Sequence, residues 1–207
     1  KKIEINFKEW KKFFLSYKKY KKKIIIEPFD FVSLEFCNSL NNFSAIKVPV
    51  SCLNDKNYLF LLKKINKPII LSIASTEIKE VQNIYKFFNK KNEIVLMYGI
   101  QNFPTKLSDL NLNKIIFLKE KFKCLIGYAD HTDSNETFYS KYIPLLAHSL
   151  GANIIEKHIT INRHLKGRDY YSALNPDEFK DFVDIFNYKK KIFGKKIWTL
   201  NKADKKY

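Results

Sequence analysis

The chain has 207 residues, 45% of them hydrophobic, and a formal net charge of +17. This length and apolar content suffice for one sizeable core and exclude a disordered polymer. Arg163 and Arg168 are the only arginines, so almost all of the positive charge is lysine. Base readout and phosphate clamping favour arginine, so we expect a solvated lysine surface and no specific nucleic-acid partner.

Cysteine usage and apolar patterning restrict the compartment. Cys37, Cys52 and Cys124 are odd in number and have no metal-ligand spacing, which indicates a reducing environment. No apolar run is long enough to cross a bilayer, and the lysine-rich N-terminus does not have the pattern of a signal peptide. We therefore expect a cytoplasmic protein that does not associate with membranes.

Short apolar runs alternate with helical patterns along the chain. The predicted helices cover residues 5–22, 31–40, 55–66, 76–89, 108–121 and 136–150, and a last helix opens at Asn175 with Pro176 and two acidic residues. The predicted strands are 24–26, 45–48, 68–72, 93–98 and the runs that begin at Leu125 and Ile154. This alternation is typical of a parallel α/β fold.

The loop sequences and the number of predicted strands restrict which parallel α/β folds are possible. The sequence has no glycine-rich phosphate loop, which counts against a doubly wound dinucleotide-binding fold. A closed (β/α)8 barrel requires eight strands, whereas the sequence predicts six. An arc of six strands would have open edges, which promote aggregation.

Two histidines follow predicted strands. His131 comes after the run at Leu125, and His158 comes after Ile154-Ile155. Both should lie at the carboxyl ends of parallel strands, where ligands bind. They are either hydrogen-bonded strand-end histidines or ligands of a divalent metal with an open coordination sphere. His148 is interpreted as structural, and His164 has no assigned role.

Charged residues accompany these histidines. Glu156 should point to the same side as His158, as a general acid/base or as a hydrogen-bond partner of a ligand histidine. Lys157 should face the helices or cover the barrel wall. Lys47 ends a buried strand, so it either meets a carboxylate or phosphate or extends its ammonium to water.

At its motifs the chain resembles the sialic acid synthase family (N-acetylneuraminate synthase-like enzymes). The strongest matches are Gly127-Tyr-Ala-Asp-His-Thr132, residues 151–160 with Ile155-Glu-Lys-His158, Gly167-Arg-Asp169 and Ser172-Ala-Leu-Asn-Pro-Asp-Glu-Phe179. Weaker matches are Pro28-Phe-Asp30, Lys47-Val48, Pro68-Ile-Ile-Leu-Ser72 and Asn102-Phe-Pro-Thr105 with Asp109, Asn111 and Leu112. They keep the order of the family from Ile24 to about Phe186.

The resemblance implies a TIM barrel, here without its first two strands, over residues 1–193, with a lysine-rich tail or linker at 194–207. It implies condensation of phosphoenolpyruvate with an N-acetylated aldose such as N-acetylmannosamine, with Mn or Mg as cofactor, in a full-length homodimer. The implied site comprises metal ligands His131 and His158, catalytic residues Glu156 and Lys47, and substrate-binding residues Ser72, Gln101, Asn102, Asp130 and Asp169.

The chain also departs from the family pattern. Glu27 stands where a small hydroxyl residue is usual, Val50 and Ala129 stand where serines are common, and Gln101 replaces a small polar residue or asparagine. The family's C-terminal antifreeze-like domain has no counterpart. Two alternatives therefore stay open: a divergent metal-dependent aldolase with another substrate, and an inactive barrel fragment that acts as a partner module.

Overall fold

In a computed structural model, residues 5–40, 42–88, 91–194, 197–200 and 202–206 are described. Their core element is a seven-stranded sheet whose spatial order follows the chain, and every neighbouring pair is parallel. The strands are β1 (Ile25–Ile26), β2 (Ala45–Val48), β3 (Ile69–Ser72), β4 (Ile94–Gly99), β5 (Leu125–Asp130), β6 (Ile154–Ile159) and β7 (Ala173–Leu174).

Helices precede and connect the strands in the predicted order. They are α1 (Phe7–Tyr17), α2 (Phe31–Leu40), α3 (Lys56–Lys64), α4 (Ile78–Phe88), α5 (Asn113–Lys121), α6 (Tyr139–Ser149) and α7 (Pro176–Phe193). The predicted start of α7 is confirmed, because Asn175 and Glu178 form a reciprocal capping box ahead of Pro176. Predicted residue Asn89 lies outside the described ranges. None of the described helices is long and apolar enough to cross a membrane.

Successive strand residues point to opposite faces of the sheet. The helix-side face packs under the helices and forms a large apolar core that includes Ile46, Leu71, Leu96, Ile126 and Tyr128. The opposite face, which we call the interior face, carries a small separate cluster: Ala45, Ile70, Val95, Met97 and Ala129, with Ile154 packed against it. Membership of one cluster or the other shows which side chains of β2–β6 point to the interior face and which point to the helices.

The sheet curls around its interior face. Lys47 on β2 and Glu156 on β6 are four strand positions apart, which is about 19 Å in a flat sheet. Their side chains nevertheless meet, with Lys47 Nζ 2.7 Å from Glu156 Oε1. Only a strongly curved sheet allows this contact, so the described chain is an arc of a barrel. That the first two strands of the barrel are missing stays a prediction.

The predicted count of six strands was wrong by one. β7 pairs with β6 through His158 opposite Ala173 and Ile159 opposite Leu174. Only two 3-10 turns, Arg163–Leu165 and Tyr170–Ser172, are formed between these strands. A two-residue strand without a crossover helix has no periodicity from which to predict it. α7 follows β7 directly, so β7 begins a β/α unit of its own, and among the connections between the described strands the one from β6 to β7 is the one that has no α-helix.

Candidate functional site

The site lies on the interior face where β5 and β6 end. Ala129 pairs with Glu156 in register, so the residue that follows β5, His131, lies beside His158 on β6. The two imidazole centroids are 5.3 Å apart. The structure thus brings together the two histidines that the sequence predicted at neighbouring strand ends.

Hydrogen bonds hold His131 in one orientation. Its Nδ1 lies 2.7 Å from the carbonyl oxygen of Ile100, which can only accept, so Nδ1 carries the proton and Nε2 keeps its lone pair. The backbone carbonyl of His131 accepts from Ser172 Oγ at 2.8 Å and from the Thr105 amide at 2.8 Å. This is the arrangement expected of a histidine whose Nε2 binds a ligand.

Both histidines favour the neutral form. Burial lowers the pKa of His131, and His158 adds to this, although the Ile100 carbonyl and nearby carboxylates act in the opposite direction. Burial also lowers the pKa of His158, while Asp169 and Glu156 partly offset it. A neutral imidazole is the form that coordinates metals, so both groups can act as ligands near neutral pH.

The loop after β4 covers the two rings. Phe103 has its ring centroid 4.3 Å from that of His131 and 6.0 Å from that of His158, and the Phe103–Pro104 peptide bond is cis. Gln101 and Asn102, predicted to bind substrate, are exposed on the same loop. Phe103 was not among the predicted site residues, because an aromatic residue in a loop carries no signal of its contact.

Lys47 lies between two carboxylates on the interior face. Its Nζ is 2.7 Å from Glu156 Oε1 and 3.2 Å from Glu27 Oε2. Burial alone would lower the pKa of Lys47, but Glu156 and Glu27 outweigh it and the pKa is raised. Of the two possibilities for Lys47, an anionic partner is therefore confirmed. The participation of Glu27 was not predicted.

Asp130 was predicted to bind substrate, but its side chain does not point to the interior face. It lies on the opposite face of β5 from Ala129, and its carboxylate accepts from Lys157 Nζ at 2.5 Å and Thr132 Oγ1 at 2.7 Å. The side chains of Lys157 and Asp130 are 2% and 0% exposed. Asp130 is therefore corrected from a substrate-binding residue to half of a buried ion pair, and Lys157 faces the helices as one reading predicted.

Two further predicted residues line the edge of the site. Ser72 ends β3, is 8% exposed, and shares the interior face with Ile70. Asp169 adopts a left-handed conformation with φ of 56° and is close enough to His158 to oppose the lowering of its pKa. Ser72 thus presents its hydroxyl to the interior face at the end of β3, and Asp169 lies near His158.

The donor set is compatible with an open metal site. Among residues 5–40, 42–88, 91–194, 197–200 and 202–206, no three His, Cys, Asp or Glu side chains are arranged to enclose a metal. His131 and His158 supply two converging neutral imidazoles and leave other coordination positions to water and substrate. A catalytic divalent ion requires such free positions, whereas a structural ion is enclosed by protein ligands.

Known proteins share this sequence and fold. The NeuB family model matches residues 1–197. An N,N'-diacetyllegionaminic acid synthase of Campylobacter jejuni is 32% identical and aligns with 99% of this chain and 60% of its own length. A pseudaminic acid synthase of the same species is 31% identical, over 81% of this chain and 47% of its own length.

A solved structure extends the similarity to three dimensions. The N-acetylneuraminic acid (sialic acid) synthetase of Leptospira borgpetersenii, in complex with citrate, has a TM-score of 0.86 and 27% identity, over 98% of this chain and 69% of its own. The chain spans about half to two thirds of the length of these relatives. By this match of sequence, fold and site motifs, the chain belongs to the NeuB family, the sialic acid synthase family.

Proposed function

We propose that the protein condenses phosphoenolpyruvate with an N-acetylated aldose similar to N-acetylmannosamine, and releases a nonulosonic acid and phosphate. The observation that carries this proposal is the convergence of His131 and His158, 5.3 Å apart, beside the Lys47–Glu156 ion pair at 2.7 Å. Relatives named as synthases of legionaminic and pseudaminic acid support this class of product.

The reaction needs an activated aldehyde, a bound anion and a water. Manganese or magnesium held by His131 and His158 would polarise the aldehyde oxygen. The enol carbon of phosphoenolpyruvate forms a bond with the aldehyde carbon, water adds to the neighbouring carbon that carries the phosphate ester oxygen, and phosphate leaves. The added water loses both protons as its oxygen becomes the keto oxygen: one is taken up by the former aldehyde oxygen, which becomes a hydroxyl, and the other leaves with the phosphate.

The residues of the site suit these steps. The Lys47 ammonium would bind the carboxylate or phosphate of phosphoenolpyruvate, and the Ser72 hydroxyl would donate to the phosphate. Glu156, in contact with Lys47, would accept the proton of the attacking water or return it to the product. Asp169, beside His158, would accept from a sugar hydroxyl. Homodimer formation by the full-length protein stays a prediction.

The proposed function is tested by product formation with the longest natural chain. Phosphate release and mass-spectrometric detection of the keto acid would be measured with phosphoenolpyruvate, Mn²⁺ and a series of N-acetylated aldoses. His131→Ala is compared with His164→Ala, because His164 is exposed in a loop. We expect a product with the wild type and His164→Ala, and none with His131→Ala.

The outcomes separate the proposed function from its alternatives. Mn²⁺ binding without turnover of any N-acetylated sugar would favour a divergent aldolase with another substrate. Neither turnover nor metal binding would favour an inactive partner module. Equal turnover by His131→Ala and the wild type would contradict the proposed role of the histidine while leaving the reaction itself in place.

A further inference from the structure

Glu27, Lys47 and Glu156 form a line of charges across the interior face. Lys47 Nζ donates to Glu27 Oε2 at 3.2 Å on one side and to Glu156 Oε1 at 2.7 Å on the other. The side chain of Lys47 is 14% exposed, while those of Glu27 and Glu156 are 28% and 32% exposed. The lysine is thus the least exposed member, and both carboxylates keep more contact with solvent than its ammonium-bearing side chain does.

The net charge of Glu27, Lys47 and Glu156 opposes the binding of a further anion, such as a substrate. Strands β1–β7 contain no arginine and only two lysines, of which Lys157 is paired with Asp130 on the helix-side face. Lys47 is therefore the only cationic side chain that these described strands present to the interior. With two carboxylates against one ammonium, the group carries a net negative charge, and it repels phosphate or carboxylate ligands.

Glu27 is the member that can leave. Glu156 makes the shorter contact with Lys47, and it belongs to a strand paired on both sides. Glu27 lies just beyond two-residue β1 and makes the longer contact. Burial raises the pKa of Glu27, and Glu156 adds to this, so Lys47 does not fully compensate the cost of keeping it ionised there.

The backbone beside Glu27 is fixed, so the movement would be confined to its side chain. Tyr58 Oη donates to the carbonyl of Pro28 at 2.9 Å, and Cys52 Sγ donates to the carbonyl of Phe29 at 3.3 Å. These contacts tie the segment after β1 to the buried residues of the helix layer. Rotation about the side-chain bonds of Glu27 is sufficient to move its carboxylate from Lys47 to solvent.

We propose that Glu27 is a specificity-determining residue that occupies Lys47 in place of the anionic substrate, so that an anion binds Lys47 only after the Glu27 carboxylate has turned away. The identity of the anion as phosphoenolpyruvate rests on the proposed function. The competition itself follows from the contacts of Lys47 and applies to any small phosphate or carboxylate. Glu27 therefore weakens binding of the anion and discriminates against weakly charged ligands that cannot displace it.

The test replaces Glu27 by glutamine, which keeps the shape of the side chain and removes its charge. Binding of phosphoenolpyruvate, inorganic phosphate and pyruvate to the longest natural chain would be measured by calorimetry in the presence of Mn²⁺. Glu27→Gln should bind phosphoenolpyruvate about tenfold more tightly, since a like charge next to the ammonium is gone. Inorganic phosphate should gain affinity in the same direction.

A matched control and a kinetic readout separate competition from a general effect. Glu120→Gln changes the net charge equally at an exposed position of helix α5, and it should leave anion affinity unchanged. Where turnover is found, Glu27→Gln should lower KM for phosphoenolpyruvate and change kcat much less. Loss of a merely structural contact would not tighten the binding of a substrate.

Each result decides one question. Tighter anion binding by Glu27→Gln without turnover on any sugar would support the competition and reject the proposed reaction. Turnover with unchanged anion affinity and KM would reject the competition and keep the reaction. Equal gains in Glu120→Gln, or no binding of any of these anions to either protein, would overturn the proposal.

Discussion

The two faces of the sheet are made by alternate residues of the same strands, yet one is mainly apolar and the other carries the charged and histidine side chains of the site. The helix-side face packs against the helices in a large apolar core, and its two charged residues, Lys157 and Asp130, form a buried ion pair. The interior face buries only a small apolar cluster and gathers Glu27, Lys47, Glu156 and the two histidines. One face supplies stability, and the other concentrates groups that are costly to bury.

The largest effect on stability is expected when the buried ion pair of the helix-side face is broken. Lys157→Met should lower the free energy of unfolding by about 3–5 kcal/mol, because it leaves the Asp130 carboxylate buried without a cation. Urea unfolding followed by circular dichroism measures the loss. The double variant Asp130→Leu with Lys157→Met should recover much of it, and a single-variant loss below about 1 kcal/mol would show that the pair is not part of the stabilising face.

Adjacent residues of β1 offer a matched comparison of the two faces. Ile26 is 8% exposed and belongs to the large core, whereas Ile25, on the interior face, is 51% exposed. Ile26→Ala should cost about 2–4 kcal/mol, and Ile25→Ala less than about 1 kcal/mol. Thermal and urea unfolding of both variants check this, and equal costs would contradict the assignment of the faces.

The smallest expected effect on stability comes from the ionised Glu27 carboxylate on the interior face. Burial, with Glu156, raises the pKa of Glu27 above its ordinary value of 4.5, so the ionised carboxylate is disfavoured in the fold. Stability should therefore fall as pH rises from the unfolded value through the folded value. Glu27→Gln should be more stable than the wild type at neutral pH, by less than about 1 kcal/mol for this partly exposed group.

The stability difference between the wild type and Glu27→Gln should disappear at low pH, which serves as the control. Below the ordinary carboxyl pKa, Glu27 is protonated in both the folded and the unfolded chain, so the two proteins should unfold at the same temperature. Melting temperatures measured from about pH 4 to pH 8 should diverge only as the carboxylate ionises. A wild type that is more stable than Glu27→Gln at neutral pH would show that Lys47 more than compensates the burial.

Sequence patterns predicted the repeating part of the fold because each signal was local. Apolar runs bounded by turn residues predicted six of the seven strands, β1–β6, and Asn175, Pro176 and Glu178 marked the start of α7. The two histidines could be placed for the same reason, since His131 immediately follows β5 and His158 lies one residue before the end of β6. β7 was missed because Ala173–Leu174 is too short to show a period.

The contacts of the site were less accessible, because they depend on how the sheet curls. Alternation along β6 placed Glu156 on the same face as His158. No local sequence pattern indicates that β1 and β2 approach β6, so the Glu27–Lys47–Glu156 line was not predicted. Asp130 was assigned to substrate because it adjoins His131. Applying the same alternation to β5 would have placed it on the helix-side face, opposite Lys157.

The measurement that tests the central claim most directly is Mn²⁺ titration of the longest natural chain and its histidine variants. If the interior face holds a catalytic metal, the wild type and His164→Ala should bind Mn²⁺ alike. His131→Ala and His158→Ala should each lose more than about 100-fold in affinity while remaining folded, because each removes a ligand. Folded His131→Ala and His158→Ala proteins that bind Mn²⁺ as tightly as His164→Ala would contradict the claim.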